Sequence, residues 1–296
     1  MNLENKITKM IIVESIEEIK KICKSSHDSR VVVPTMGALH HGHIALLDKA
    51  REFDQVFATL FVNPLQFNNL NDLNSYPQEF EEDINIFDKN GVDVLFKPSK
   101  EAILNKKHIK AIDAGPAGDI WEGSFRPGHF DGVLTIVNKF FELIRPSKAI
   151  FGMKDIQQIC LIHKKLSSVH NVEIIPVETQ RNSSGLAYSS RNSLITEDGK
   201  QKASIIFKAL KAGKEYWKES RNLSSVEEKV GAVLNTEPDF KLQYIKAKSL
   251  SDLTEPENDF SDLFREADLN HKVIMIAGYI EGVRLIDNII INSNKY

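Results

Sequence analysis

Three histidines fall within four positions of the stretch PTMGALHHGH: His40, His41 and His43. Such a cluster suits three chemistries: a metal site, a pH-sensitive structural cluster, or a holder for phosphate groups. A zinc site needs three or four ligands, usually backed by carboxylates. His40 and His43 are three residues apart, His41 points elsewhere, and no HExxH or paired-cysteine pattern completes a set. Phosphate binding explains more of the stretch. Gly37 and Gly42 let the backbone turn sharply and approach a ligand. A helix that follows would offer unpaired N–H groups and its positive end to an anion. Imidazoles on that turn can hydrogen-bond phosphate oxygens as charge builds in a transition state.

Such a turn must be carried by elements that place it. The first 180 residues alternate between β-branched runs and helical periodicity. Ser15–Glu18 resembles a capping box opening a helix that faces Ile16, Ile19 and Cys23 inward. The spacing predicts strands over 30–33, 56–62, 92–96, 148–151 and 172–177. It predicts helices over 44–53, 77–90, 132–144 and 156–169, with Phe80, Ile84 and Phe87 as the inner face of the second. This pattern implies an α/β fold, a Rossmann-like doubly wound parallel sheet, with ligands beyond the C-terminal strand ends. After about residue 180 come a loop at 182–185, a long helix from Glu197 to about Lys218, polar segments, and late strands at 241–248 and 272–291 with a turn at Glu281-Gly282. We expect two domains: 1–180, binding nucleotide and substrate, and 181–296, a smaller α+β lid.

The net charge of −3 gives no basic excess for nucleic-acid binding. The two cysteines, Cys23 and Cys160, make no disulfide framework. No apolar run approaches the roughly 18 residues of a membrane helix. The opening MNLENKITKMIIVESIEE lacks the parts of a signal peptide. A cytoplasmic protein with no membrane or nucleic-acid partner is expected.

His-x-Gly-His at a strand–helix junction resembles the signature of the nucleotidyltransferase superfamily, which transfers AMP-like groups. Beyond PTMGALHHGH, the chain carries FVNPLQF, a YP ten residues later, FRPGHFDGV, FGMKDIQQ, GLAYSSRN and RLIDN, in that order. Together they resemble the pantothenate synthetase (pantoate–β-alanine ligase) family over nearly the whole length. The resemblance implies an ATP-dependent ligase that forms pantoyl adenylate and then joins it to β-alanine. ATP and Mg²⁺ are implied, as is a homodimer. His43, His40, Lys154 and Arg191 match the catalytic positions, with His43 the favoured proton donor. Met36, Gly37, His40, Gly42, His43, Gly152, Met153, Lys154, Asp155, Gln180, Tyr188, Ser189, Ser190 and Arg191 match the ATP site. Asp155 suits ribose hydroxyls, and Ser189–Arg191 resembles a mobile loop that grips phosphate. Gln66, Gln158, Met36 and Asn63 match the pantoate and β-alanine site, where amides bind an anion without adding charge.

Pro34, Phe61 and Phe67 are candidates for an apolar wall beside Met36; Tyr76 is a further candidate. Arg126 belongs either near the site or at a subunit contact. Gln78, Met153, Ser184 and His41 depart from the family pattern, each removing a charge or an ion-pair partner. Two other readings stand beside this one: a related nucleotidyltransferase for another small acid, and a non-catalytic nucleotide binder. The second would need damage at His43, Lys154 or Arg191, and none is present. Closure of the lid is expected to hinge near residues 178–184.

Overall fold

The computed structural model describes residues 10–25, 29–105, 109–253 and 271–291. Among them, β1 Ile11–Val13, β2 Arg30–Thr35, β3 Gln55–Leu60, β4 Val94–Phe96, β5 Lys148–Gly152 and β6 Glu173–Val177 form one parallel sheet in the order β1-β4-β3-β2-β5-β6. Strand β2 shows why both faces must be covered. Val31 and Val33 are fully buried toward one layer, and Val32 toward the other. The first layer holds the helices His41–Ala50 and Phe80–Lys89; the second holds Ile16–Ser25, His129–Ile144 and the helix beginning at Ile156. The strand order reverses at β2, which has β3 on one side and β5 on the other. The crevice beyond their C-terminal ends is where such sheets bind ligands.

The α/β assignment holds, and the local differences have physical causes. Strand β1 was not read from the sequence, because Ile11 and Ile12 are exposed at a sheet edge and show no alternation. The helix expected over 77–90 begins at Phe80, which is 40% exposed rather than inward. Its buried face is set instead by Asp83 and Phe87. The expected single helix from Glu197 is two, Glu197–Ala203 and Ile205–Ser220. At the break, the Ser204 hydroxyl donates to the Gln201 carbonyl at 2.6 Å, a bond that bends helices. The helix from Ile156 passes through a π-turn at His163–Ser167.

The segment read as polar contains the helix Leu223–Leu234, capped by Asn222 and burying Val226, Val230 and Leu234 at four-residue spacing. It packs with Ile205–Ser220 on one face of a second sheet, the antiparallel β7 Lys241–Ser249, β8 Lys272–Ile280 and β9 Val283–Ile290. In β8, Ile274 and Ile276 face those helices, while Val273, Met275 and Ala277 join the apolar cluster of the first sheet. The smaller sheet is therefore covered on both faces, once by its own helices and once by the larger unit.

Candidate active site

The turn after β2 is built from left-handed backbone. Gly37 has φ +87° and Ala38 φ +50°, and His40 then caps the helix His41–Ala50. The Gly42 N–H donates to His40 Nδ1 at 3.1 Å, and the His40 N–H donates to His43 Nδ1 at 3.3 Å. Both Nδ1 atoms are thus acceptors, so each neutral ring carries its proton on Nε2. The rings lie 4.1 Å apart between centroids. Gly42 is needed for room rather than for a special dihedral, since a Cβ there would come within 2.8 Å of the His40 ring. His41 turns away and packs on Tyr188, 5.0 Å between centroids.

Burial pushes both imidazoles down, to about 4 for His43 and about 2 for His40. The Lys154 ammonium adds to the shift in both, and His43 adds to it in His40. The folded protein therefore binds fewer protons than the unfolded chain below pH 6.5, and these rings cost stability as the pH falls from about 6.5 toward 4 for His43 and toward 2 for His40. Ring ¹⁵N shifts of the free protein should show neutral, Nε2-protonated His40 and His43 from pH 8 down to 5. An inflection near 6.5 in either ring would contradict the arrangement.

Lys154 reaches the same space from the turn after β5. Its Nζ lies 3.5 Å from Asp155 Oδ2. Its carbonyl and that of Met153 accept from Asn288 Nδ2 at 2.7 and 2.9 Å, so β9 holds the turn. A cavity of about 230 Å³ lies between the two turns. Met36, His40, Gly42, His43, Gly152, Lys154, Asp155, Gln180, Tyr188, Ser189, Ser190, Arg191, Gln66, Gln158 and Asn63 all line it, as do Pro34, Phe61, Tyr76 and Arg126.

Three expected residues do not line the cavity. Gly37 shapes the turn from behind. Met153 is 4% exposed and points into the apolar core. Phe67 packs edge-on against Tyr76 instead. Arg191 is held by Asp72 at 3.0 and 3.1 Å.

Sequence reasoning missed the wall opposite the histidine turn. Val133, Ile136, Val137 and Phe140 of the helix His129–Ile144 supply it, at the one-face spacing of an amphipathic helix. It also passed over His129. Its Nδ1 bonds to the Gln66 carbonyl at 2.8 Å, and its Nε2 to Arg126 at 3.1 Å. Arg126 donates to the same carbonyl at 3.2 Å. The Asn63 amide donates to Gln66 Oε1 at 3.0 Å and to the Gly132 carbonyl at 3.1 Å. Gln66 is thereby fixed at both backbone and side chain.

Among the described residues, no three His, Cys, Asp or Glu side chains converge to hold a metal, and no helix is long and apolar enough to cross a membrane. Asp155 and Glu178 are the carboxylates lining the cavity.

Residues 11–290 match the family model described as pantoate-beta-alanine ligase. The chain is 38% identical over 288 residues to the pantothenate synthetase of Cytophaga hutchinsonii, covering 95% of this chain and 99% of that protein. It is 40% identical over 270 residues to that of Nitrosococcus oceani, covering 90% and 91%. A crystal structure of pantothenate synthetase from Thermus thermophilus superposes with a TM-score of 0.85 at 32% identity, covering 96% of this chain and all of that one. A pantoate-beta-alanine ligase from Francisella tularensis, complexed with beta-gamma ATP and beta-alanine, gives 0.76 at 36% identity, covering 97% and 100%.

Proposed function

The chain belongs to the pantoate–β-alanine ligase family, and we infer that the cavity between the β2 and β5 turns is where its two chemical steps occur. The enzyme joins pantoate to β-alanine with ATP. A carboxylate does not acylate an amine in water unaided, because oxide would have to leave. A pantoate carboxylate oxygen instead attacks the α-phosphorus of ATP and expels pyrophosphate. The β-alanine amine then attacks the acyl carbon, loses a proton, and releases AMP.

The observation that carries the assignment of residues is the convergence of the His40–His43 turn and Lys154 on one cavity at the sheet's switch point. In this reading the two Nε2–H groups donate to phosphate oxygens. Being neutral, they act as preorganised hydrogen-bond donors and not as cations, with His43 the favoured donor to the departing pyrophosphate. Lys154 and Arg191 supply positive charge where the first step gathers negative charge. Ser189 and Ser190 grip phosphate, and Asp155 takes ribose hydroxyls. Gln66 and Gln158 bind pantoate by neutral hydrogen bonds, with Asn63 lining the same site and holding the Gln66 amide, which avoids over-stabilising the nucleophile. Met36 and the Val133–Phe140 face pack on its apolar part.

Magnesium needs few protein ligands when a triphosphate supplies the others, and two lining carboxylates fit that arrangement. When bound it would neutralise phosphate charge, and Glu178 would hold its water shell. The proposal also includes a homodimer and a cytoplasmic location, the latter in keeping with two buried, free cysteines.

Residues 181–296 are proposed as the lid, hinged near 178–184. Because one face of β8 stays packed on the larger unit, closure is a small rotation. Saturating ATP should slow amide exchange across 178–194; unchanged exchange would remove the lid from the scheme.

Incubation with ATP, Mg²⁺, pantoate and β-alanine should yield pantothenate and AMP together by mass spectrometry. ADP in place of AMP, or equal turnover of unrelated small acids, would overturn the reading.

A further inference from the structure

We propose that Asp83 is a positioning residue for nucleotide capture: its carboxylate locks the Ala38–Leu39 peptide, and that peptide seats the Ser189–Arg191 loop. The inference rests on the nucleotide reading of the cavity given above. Asp83 is 1% exposed and sits in the first turn of the helix Phe80–Lys89. Among the described residues no ion pair involves it. Its two oxygens are used on two amides instead. Oδ2 accepts from the Ala38 N–H at 2.9 Å, and Oδ1 from the Leu39 N–H at 2.7 Å. These are the amides of the left-handed turn that leads into His40.

The same peptide unit works in the opposite direction. The Leu39 N–H points at Asp83, and the Ala38 carbonyl, across the same planar group, accepts from Ser190 Oγ at 3.1 Å. An anion bonded to the N–H end polarises the peptide and strengthens its carbonyl as an acceptor. Tyr76 Oη donates to the same Ser190 oxygen at 3.4 Å. A chain of hydrogen bonds therefore runs from a buried carboxylate through one peptide to the loop that carries Arg191. Shape alone does not explain the residue. Asparagine has nearly the same volume, but it offers one acceptor oxygen, and its NH₂ would face the second amide N–H. Burial pushes the Asp83 carboxyl upward, with the two amides opposing. The helix N-terminal turn also favours a negative charge there.

The test is steady-state pyrophosphate release by Asp83→Asn, Ser190→Ala and the double variant. Loss of a charged hydrogen-bond acceptor should raise KM for ATP about tenfold or more, with KM for β-alanine little changed. Ser190→Ala should then matter less in the Asp83→Asn background than alone, because both act through one peptide. A purely structural role would reduce the active fraction, and so kcat, without moving KM for ATP; that result overturns the proposal, as does full additivity of the two changes. Should Asp83→Asn fail to fold, amide exchange in the unaltered protein decides the matter. Protected Ala38 and Leu39 amides, further protected by ATP, support it, and freely exchanging amides overturn it. Absence of pantothenate formation by the unaltered enzyme would instead remove the nucleotide reading itself.

Discussion

Replacing Lys154 by alanine should lower adenylate formation by about 10²- to 10³-fold, the scale on which one preorganised charge-stabilising group acts. The substitution is a clean probe because the side chain and the backbone of this residue do different things. The turn is held by the Lys154 and Met153 carbonyls, both bonded to Asn288 of β9. The side chain reaches into the cavity and contacts Asp155 only at 3.5 Å. Truncation should therefore leave Tm nearly unchanged. Pyrophosphate release in the presence of pantoate should fall, while pantoyl adenylate supplied ready-made should be less affected in its reaction with β-alanine, since that step attacks the acyl carbon and involves no substitution at phosphorus. His43→Ala should lose a comparable factor but also the acceptor for the His40 N–H, so it mixes chemistry with a damaged helix cap. Near-normal pyrophosphate release by Lys154→Ala would remove the cationic role from this residue.

The parts of the site that lie in short contiguous motifs were legible, because each motif is one turn at a strand end. PTMGALHHGH is the β2 turn and FGMKDIQQ the β5 turn, and their neighbours in the sheet follow from right-handed crossovers. Residues acting from a distance were not legible. Asp83 looks like one of several acids in a surface helix, and only the fold shows it reaching back 45 residues to Ala38. Met153 differs from the family pattern where a carboxylate is common, and its burial in the apolar core gives the methionine a packing role. RLIDN could be matched as a motif without any sense of its purpose. In the fold, Arg284 pairs with Glu122 and Asn288 holds the Lys154 turn, which rivets the smaller unit to the larger one, while Asp287 pairs with Arg181 within the smaller unit; local periodicity is blind to such long-range contacts.

That rivet leads to the largest stability effect expected here. Glu122 is 7% exposed, and its two oxygens accept from Arg284 at 2.7 and 2.8 Å. The Tyr244 hydroxyl donates at 2.9 Å, and Arg126 lies at 3.6 Å. Glu122→Ala would leave Arg284 and Arg126 facing each other in a mostly buried space, and truncating one partner of such a pair costs about 3–5 kcal/mol. In a chain of this size that lowers Tm by roughly 10 °C. Glu122→Leu combined with Arg284→Met should be less harmful than Glu122→Leu alone, since Arg126 is then the one charge left without its carboxylate. The pH dependence has a definite sign. Burial alone would raise the Glu122 carboxyl, but the Arg284 fork, Arg126 and Tyr244 outweigh it and pull the value from 4.5 to about 2. The group's contribution is thus complete above about pH 4.5 and is lost as the pH falls toward 2. Glu122→Ala should flatten that part of the acid-unfolding curve. Function should follow, because Arg126 helps hold the Gln66 carbonyl: KM for pantoate should rise in Glu122→Ala at temperatures where the variant is still folded. An unchanged Tm together with an unchanged KM for pantoate would mean that neither the rivet nor its link to Gln66 matters.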